Sequence, residues 1–567
     1  MDKKNKIIII AIAFALILLF SGLTYAYFTS ATSSESGSTI VAKGGQMNIV
    51  YDNKSANITV SNIYPREEAW VTKKFQVIGN NTTDLLIFYK VKMVVDNNEF
   101  GLDLSYTLTG TNTANNGALI PNISSNTHIG LHDISLGTGY HVKGTNNVHE
   151  YTLQIFFKPR NTGDDSSNNQ NYGQEANFAA HLVIEIDGTS TSTSPSNWDS
   201  AGSNTLLAGI KKNYANPTAT LTNPITDASS SSEAVMSLAP DDYGISYYFR
   251  GNVQNNFVSF AGMCWRIVRI TGDGSIKLAL YDYSSASCTK TGNDLAFARY
   301  SGATYETKFN ENTDDNAYIG FMYGTPNSNT YTATHANVNK STILQNLETW
   351  YKSKLTSYTD KLADTIWCND KSTVKDVTMN NFYSGNGIIN KETTIISGLG
   401  YQKELTVYGS GTRNFGLDQG ATDVAYGTGP SLICPKDNDG GNLSKFTVAD
   451  TVNGNGNLDY KIGLLTTDEM VLAGFSPASV YLNNYDYYNK NSVTSYLSSN
   501  ATSTKYWTLS PFALDSSAEC WVATSISFLS FDFYVNDSVG LRPAIALKSS
   551  TTISGGNGTS SNPFIIN

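Results

Sequence analysis

Charge is scarce in this chain. Of its 567 residues only 15% are Asp, Glu, Lys or Arg, and the formal balance is −10. No basic run follows the first few residues, so there is no electrostatic footprint for a phosphate backbone, and nucleic acid is not an expected partner. Histidine is nearly missing as well: there are 6, five of them before residue 190. Neither His-Glu-x-x-His nor C-x-x-C occurs, which removes the common zinc and dithiol signatures. His128 and His132 stand four apart, but Gly130 lies between them and the segment reads as loop. The C-terminal half holds only His335, whose neighbours Thr334, Ala336 and Asn337 form no catalytic motif. An enzyme is not expected.

Long apolar runs are also absent, with one exception. Lys3, Lys4 and Lys6 precede an unbroken run from Ile7 to Phe20, which breaks at Ser21-Gly22 and closes on Thr24-Tyr25-Ala26. A positive start, an apolar centre and small residues before a cut are the marks of a secretory signal. The stretch of roughly 17 residues is at the short end of what spans a bilayer. Residues 1–26 are therefore a signal peptide or a membrane anchor, and the rest is expected outside the cell, secreted or held at its surface.

Cysteine is limited to 264, 288, 368, 434 and 520. In an oxidising compartment spaced cysteines read as disulfides. Cys264 and Cys288 flank an expected hairpin and are paired on that ground. Cys368 and Cys434 are paired by elimination, and Cys520 is left over.

What the chain has in quantity is Gly, Ser, Thr, Asn and Tyr, with 40% hydrophobic residues. That mixture suits strands and polar loops, and a chain this long needs more than one core, since single cores rarely grow past about 250–300 residues. Residues 27–188 read as all-β. Ile87-Phe88-Tyr89-Lys90-Val91-Lys92-Met93-Val94-Val95 alternates, with Ile87, Tyr89, Val91, Met93 and Val95 on one face and both lysines on the other. Met47–Tyr51, Phe75–Ile78, Thr152–Lys158 and His181–Ile186 repeat the pattern, and several such strands between polar turns argue for a β-sandwich. The stretch from Pro121 to Asn147 reads as a long polar insertion. Residues 189–234 are a linker, flexible from Gly188 to Asn197 by composition, with a short helix near Thr205–Tyr214.

Residues 235–567 mix α and β. Cys264–Ile270, the turn Thr271-Gly272-Asp273-Gly274 and Ser275–Tyr281 form the clearest hairpin. Ser341 caps a helix that puts Ile343, Leu347, Trp350, Tyr351 and Leu355 on one face. Thr466 and Glu469 have capping-box spacing, and the helix they open stops at Gly474. Asp437-Asn438-Asp439-Gly440-Gly441 has part of a calcium-loop pattern but no glutamate at the twelfth place. A polar turn is the plainer reading, so no cofactor is assigned and calcium is left open. Asn310–Asp315 is the other acidic cluster.

Two resemblances add to this reading. Thr24-Tyr25-Ala26-Tyr27-Phe28-Thr29-Ser30-Ala31-Thr32-Ser33 and the segment Gly37–Gly45 resemble the start of TasA/camelysin-type proteins, as does the block from Ile58 to Val94. These are exported β-sandwich proteins of Gram-positive bacteria, some of which assemble into matrix fibres. Residues 235–567 are similar to surface proteins of gut Firmicutes. The residues carrying that likeness are Asp241-Asp242-Tyr243-Gly244, Tyr247–Val253, Phe260–Arg269, Trp507-Thr508-Leu509-Ser510-Pro511 and Gly540-Leu541-Arg542-Pro543. The closing Gly-x-Arg-Pro strand resembles that of C-type-lectin-like folds related to the formylglycine-generating enzyme. That likeness implies a multidomain, mostly β chain with an α+β C-type-lectin-like domain at its end. It also implies ligand binding by a C-terminal segment, which in some such proteins is diversified by a retroelement.

The segment 515–538 lies between the last two of those motifs. It mixes aromatics with Ser, Asp and Asn, a combination that supplies rigid contact area beside adaptable hydrogen bonding. The alternation of Phe531, Phe533 and Val535 favours core for those three. Trp521, Ser525, Ser530, Asp532, Tyr534 and Asn536 are the candidate ligand-binding residues. The expected partner is an extracellular protein or glycan, with self-assembly through the N-terminal module as the alternative.

Overall fold

The computed structural model describes the chain from residue 39 to 567 apart from 43–44, 52–54, 82–85, 101–102, 115, 121, 130–133, 160–174, 191–193, 216, 220–233, 290–291, 293, 329, 373–405, 411–429, 436–442, 478–494, 499–504, 516 and 524–527. The secretory segment, the Asp437–Gly441 turn and His132 lie outside the described residues. Among the described residues no helix is long and apolar enough to cross a membrane.

The protein is mostly β. Its first part contains β1 (Thr39–Ala42), β2 (Gly45–Tyr51), β3 (Asn57–Ser61), β4 (Val71–Asn81), β5 (Leu86–Asn98), β6 (Leu104–Thr111), β7 (Gly117–Ala118), β8 (Ile123–His128), β9 (Ile134–His141), β10 (Gly144–Phe157) and β11 (Asn177–Ser190). They form two antiparallel sheets, in the orders β1-β2-β4-β10-β6-β8 and β3-β11-β5-β9-β7. The alternation seen in β5 decides which side faces in. Ile87, Tyr89, Val91 and Met93 are buried, and Val95 packs against the same cluster. They meet Phe75, Val77, Tyr106, Leu108, Tyr151, Leu153 and Ile155 from the other sheet in one core.

The stretch read as a polar insertion is structural. It supplies β8 and β9 and the start of β10, and β9 pairs with β5 from Ile87↔His141 to Met93↔Ile134. Glycine and histidine hid its inward face. At Gly79 a Cβ would lie 2.4 Å from Cδ2 of the buried His141 ring. Gly79→Ala is therefore expected to lower stability by about 1–3 kcal/mol through overpacking, read as a fall in the urea midpoint at unchanged slope.

The second part contains β12 (Thr218–Ala219), β13 (Ala234–Asp241), β14 (Gly244–Gly251), β15 (Phe257–Phe260), β16 (Met263–Ile270), β17 (Ile276–Asp282), β18 (Glu306–Thr307), β19 (Met322–Tyr323), β20 (Asn339–Lys340), β21 (Trp367–Cys368), β22 (Thr406–Val407), β23 (Lys445–Phe446), β24 (Ser476–Pro477), β25 (Tyr506–Asp515), β26 (Ser517–Ala523), β27 (Phe528–Tyr534), β28 (Val539–Gly540), β29 (Ala544–Leu547), β30 (Ile553–Gly555) and β31 (Phe564–Ile566). One sheet runs β12-β13-β14-β16-β15-β31-β30, with β17 between β16 and β29, and the other runs β18-β28-β25-β26-β27-β24. The expected hairpin is β16–β17, and it sits at the centre of the first of these sheets. Helix Leu206–Asn213 is capped by Thr205. Helix Thr342–Lys354 is capped by Ser341 and buries Ile343, Leu347, Trp350 and Tyr351. Helix Thr467–Leu472 carries both halves of its capping box. Two disulfides close, Cys264–Cys288 and Cys368–Cys434, and Cys520 is a buried thiol.

The stretch read as a flexible linker is in part fixed. Gly188, Thr189 and Ser190 continue β11 against Phe88, Ile87 and Leu86. Ser196 then donates to the Gly272 carbonyl at 2.9 Å, and Trp198 is buried with its ring edge-on to Tyr247. Leu86 and Phe88 belong to the core cluster of the second part, so the two parts share packed surface. The C-terminal residues also have a place: β31 pairs in parallel with β15 and buries Phe564.

Candidate functional site

The candidate contact segment is built on β25, β26 and β27. Cys520, Val522 and Ala523 of β26 are fully buried, as are Leu529 of β27 and Val535 just after it. β26 and β27 pair antiparallel from Glu519↔Tyr534 to Ala523↔Leu529, with an irregularity after Cys520. The strands are therefore pinned from beneath, and the last residue of β27, Tyr534, is displayed.

The six candidate residues separate on this frame. Tyr534 is 45% exposed at the end of β27, and its backbone N–H donates to Asp537 Oδ2 at 3.0 Å. Asn536 is exposed in the turn that follows. Ser530, in contrast, is buried opposite Val522 and is not a surface contact, because the bulge after Cys520 turns it inward. Trp521 and Asp532 lie on β26 and β27, with side chains outside the described set, and Ser525 lies outside the described residues. Phe533 is partly buried against the core, and the Lys505 ammonium lies 4.0 Å from its ring centre. The exposed groups at this end of β27 are thus the Tyr534 phenol and the Asn536 amide.

The motifs flanking the segment turn out to be scaffold. Arg542 reaches from the β28–β29 connection to the Leu280 carbonyl at 3.0 Å and the Tyr506 hydroxyl at 3.0 Å. The Trp507 indole donates to the Thr307 carbonyl at 2.7 Å. Arg250 donates to the Val471 and Leu472 carbonyls, satisfying the C-terminal end of helix Thr467–Leu472.

A second feature was not visible in the sequence. A cleft of about 480 Å³, including its open mouth, lies beside the Cys368–Cys434 bridge and is lined by Asp241, Asp242, Arg269, Lys277, Asp468 and Glu469 among others. β13 delivers Asp241, β16 Arg269, β17 Lys277, and the capping box of helix Thr467–Leu472 delivers Glu469. Arg269 contacts Asp241 at 2.6 Å and Glu469 at 2.8 Å, and Lys277 contacts the same Glu469 oxygen at 2.6 Å. All four side chains are at most 7% exposed. Burial pushes the Glu469 carboxyl up, but Lys277 and Arg269 more than offset this and bring it down to about 2. Burial pulls Lys277 down to about 8 against the opposing pull of Glu469. The remaining acids are engaged too. Asp242 accepts from Lys445 and from the Cys434 N–H, and Asp468 from the Ser431 N–H. Charges so committed to one another hold five segments together.

Residues that the sequence left open for chemistry have structural roles as well. Asp315 accepts from the N–H groups of Ala317 and Asn327, and Asn310 donates to the Tyr318 carbonyl. His335 is fully buried, out of reach of an external substrate. Among the described residues no group of three or more His, Cys, Asp or Glu is arranged to hold a metal ion. Compared with known proteins, the chain matches no family model and no curated sequence.

Proposed function

We propose that this is an exported surface protein that binds an extracellular protein or glycan through the edge formed by the end of β27 and the turn after it. The observation that carries the reading is Tyr534, an aromatic 45% exposed at the end of a strand whose neighbours Leu529 and Val535 are fully buried. A rigid exposed aromatic with an exposed amide two residues on gives contact area at small entropic cost. In this reading the first two sheets are a β-sandwich module, and the second part is a C-type-lectin-like display domain.

The test is a screen of the full chain against glycan and surface-protein arrays, under oxidising conditions with calcium. Binding is expected, and Tyr534→Ala should weaken it by roughly tenfold or more while leaving the unfolding midpoint unchanged. A ligand that binds the Tyr534→Ala chain equally well would move the site elsewhere, and an empty screen would remove the reading. Diversification of this edge has a separate test in DNA. It predicts a near-repeat of the codons for 507–547, differing mainly at adenines, beside a reverse transcriptase.

A second reading, a matrix component that self-assembles through its first part, is favoured by open sheet edges. Among the described residues β1, β3, β7 and β8 each pair on one side only, and unpaired edges are templates for further strands. Filaments of the processed chain in electron micrographs would support it, and monodisperse particles would count against it.

A further inference from the structure

Lys371 is a buried amine without a counter-ion. It follows β21 and is fully buried, and it takes part in no ion pair among the described residues. Its Nζ donates to the Met322 carbonyl at 3.2 Å and to the side-chain oxygen of Asn337, with the Phe446 ring centre 5.3 Å away. Lys277, equally buried, shows what a lysine needs to stay charged there, a carboxylate at 2.6 Å. An unpaired ammonium in such a place is costly, so the neutral amine is favoured. Burial brings Lys371 down to about 7, which leaves a large share of it unprotonated, and an unprotonated lysine is a nucleophile.

The group it touches is an electrophile held in place. Asn337 is 3% exposed and sits in the left-handed region at φ 56°. Its Nδ2 donates to the Leu443 carbonyl at 2.7 Å, so both ends of the carboxamide are fixed. Two residues earlier on the same loop is His335, fully buried, whose two ring nitrogens have no hydrogen-bond partner. Burial, and then the charge of Lys371, hold its imidazole well below its ordinary pKa. The Tyr331 ring packs edge-on to His335 with centres 4.7 Å apart, and its hydroxyl donates to the Lys371 carbonyl at 2.6 Å. An amine and a carboxamide are thus held in contact, both buried, with a buried imidazole on the same loop.

We propose that Lys371 and Asn337 join in an intramolecular amide cross-link. The lone pair of Nζ attacks Cγ of Asn337, and the carbonyl oxygen carries the negative charge of the tetrahedral adduct. One proton passes from Nζ to Nδ2 within the adduct. The Cγ–Nδ2 bond then breaks, the carbonyl reforms, and ammonia leaves. A primary amide and an amine become a secondary amide and ammonia, with no oxidant or cofactor. Holding the amine against the carboxamide supplies the proximity that the uncatalysed reaction lacks. The link would tie the loop before β20 to the segment after β21, close to the Cys368–Cys434 bridge.

The decisive measurement is the intact mass of the folded full chain, reduced so that disulfides do not contribute. The chain is expected to be lighter than its sequence by one ammonia, and digestion should yield one branched peptide holding residues 337 and 371, with no cleavage at Lys371. Chain kept in denaturant and never folded should have its full mass, since the reaction needs the fold. Asn337→Ala and Lys371→Met should each abolish the deficit. Both variants should keep the wild-type near-ultraviolet circular dichroism, which separates loss of the link from loss of the fold. Folded wild-type chain that yields separate linear peptides, with Asn337 intact or deamidated and Lys371 free, would overturn the proposal.

Discussion

Lowering the pH from 7 to 5 is expected to take about 4 kcal/mol from the stability of the first part of the chain. The cause is a pair of imidazoles in its core. His141 on β9 and His149 on β10 are both fully buried, with ring centres 4.1 Å apart. His149 Nδ1 bonds the Tyr89 hydroxyl at 2.6 Å, and Nε2 bonds the Asn112 amide at 3.2 Å. Tyr89 in turn meets the Tyr151 hydroxyl at 2.6 Å. The groups facing the pair are thus phenols and an amide. Burial, and for His141 the neighbouring His149, lower the pair to about 3 and about 4. Both values lie below the ordinary 6.5, so between these limits the unfolded chain binds protons that the folded chain refuses. Stability is complete above pH 6.5 and falls as the pH drops through that value toward 4. Each histidine contributes about 2 kcal/mol of the loss by pH 5. Hydrogen exchange of peptides from β9 and β10 along a urea series, at pH 7 and pH 5, reads this directly. His141→Gln should remove roughly half of the pH dependence. A midpoint that does not move between the two pH values would mean that the rings are solvated.

The second large effect is expected from Glu469→Gln. Glutamine keeps the length of the side chain and can still accept from the Thr466 N–H, which Glu469 Oε2 does at 3.1 Å. Only the charge is lost. Arg269 retains Asp241, but Lys277 is left buried without its carboxylate. Breaking a buried pair from one side costs about 3–5 kcal/mol. The urea midpoint of the second part should fall accordingly. Adding Lys277→Met should recover most of the loss, because the unpaired cation is then gone and the new side chain can pack on Trp367, whose ring centre lies 4.4 Å from the lysine nitrogen. If the double variant were no more stable than Glu469→Gln, the penalty would lie in the helix cap and not in the charge.

The sequence was legible wherever the signal was local. The β16–β17 hairpin, the Ser341 cap, the Thr466–Glu469 box and the short helix after Thr205 depend on residues a few positions apart, and each is where the spacing put it. Both disulfides followed from five cysteines and one hairpin. Strand β9 was missed because, beyond Ile134 and Leu136, its inward positions are Gly137, Gly139 and His141, which break the run of apolar side chains. Composition alone does not show that Trp198, within the stretch read as linker, is buried. Ser530 was misplaced because a bulge after Cys520 shifts the alternation, and bulges leave no mark in a period-2 pattern. The Arg269–Glu469 pair spans 200 residues and the Lys371–Asn337 contact 34. Such meetings are products of topology, and no spacing rule reaches them.

The way the second part begins and ends has a mechanical consequence. Leu206 donates to the Thr551 carbonyl, Ile553 to Asn204, and Asn213 to the Asn557 carbonyl. The entering segment and the leaving segment are therefore stitched to each other. A chain tethered at its start and pulled at its C-terminal end would carry the tension through this short seam and through the pairing of β31 with β15 and β30. Strands β25 to β27 would lie off the load path and hold their shape until the seam tears.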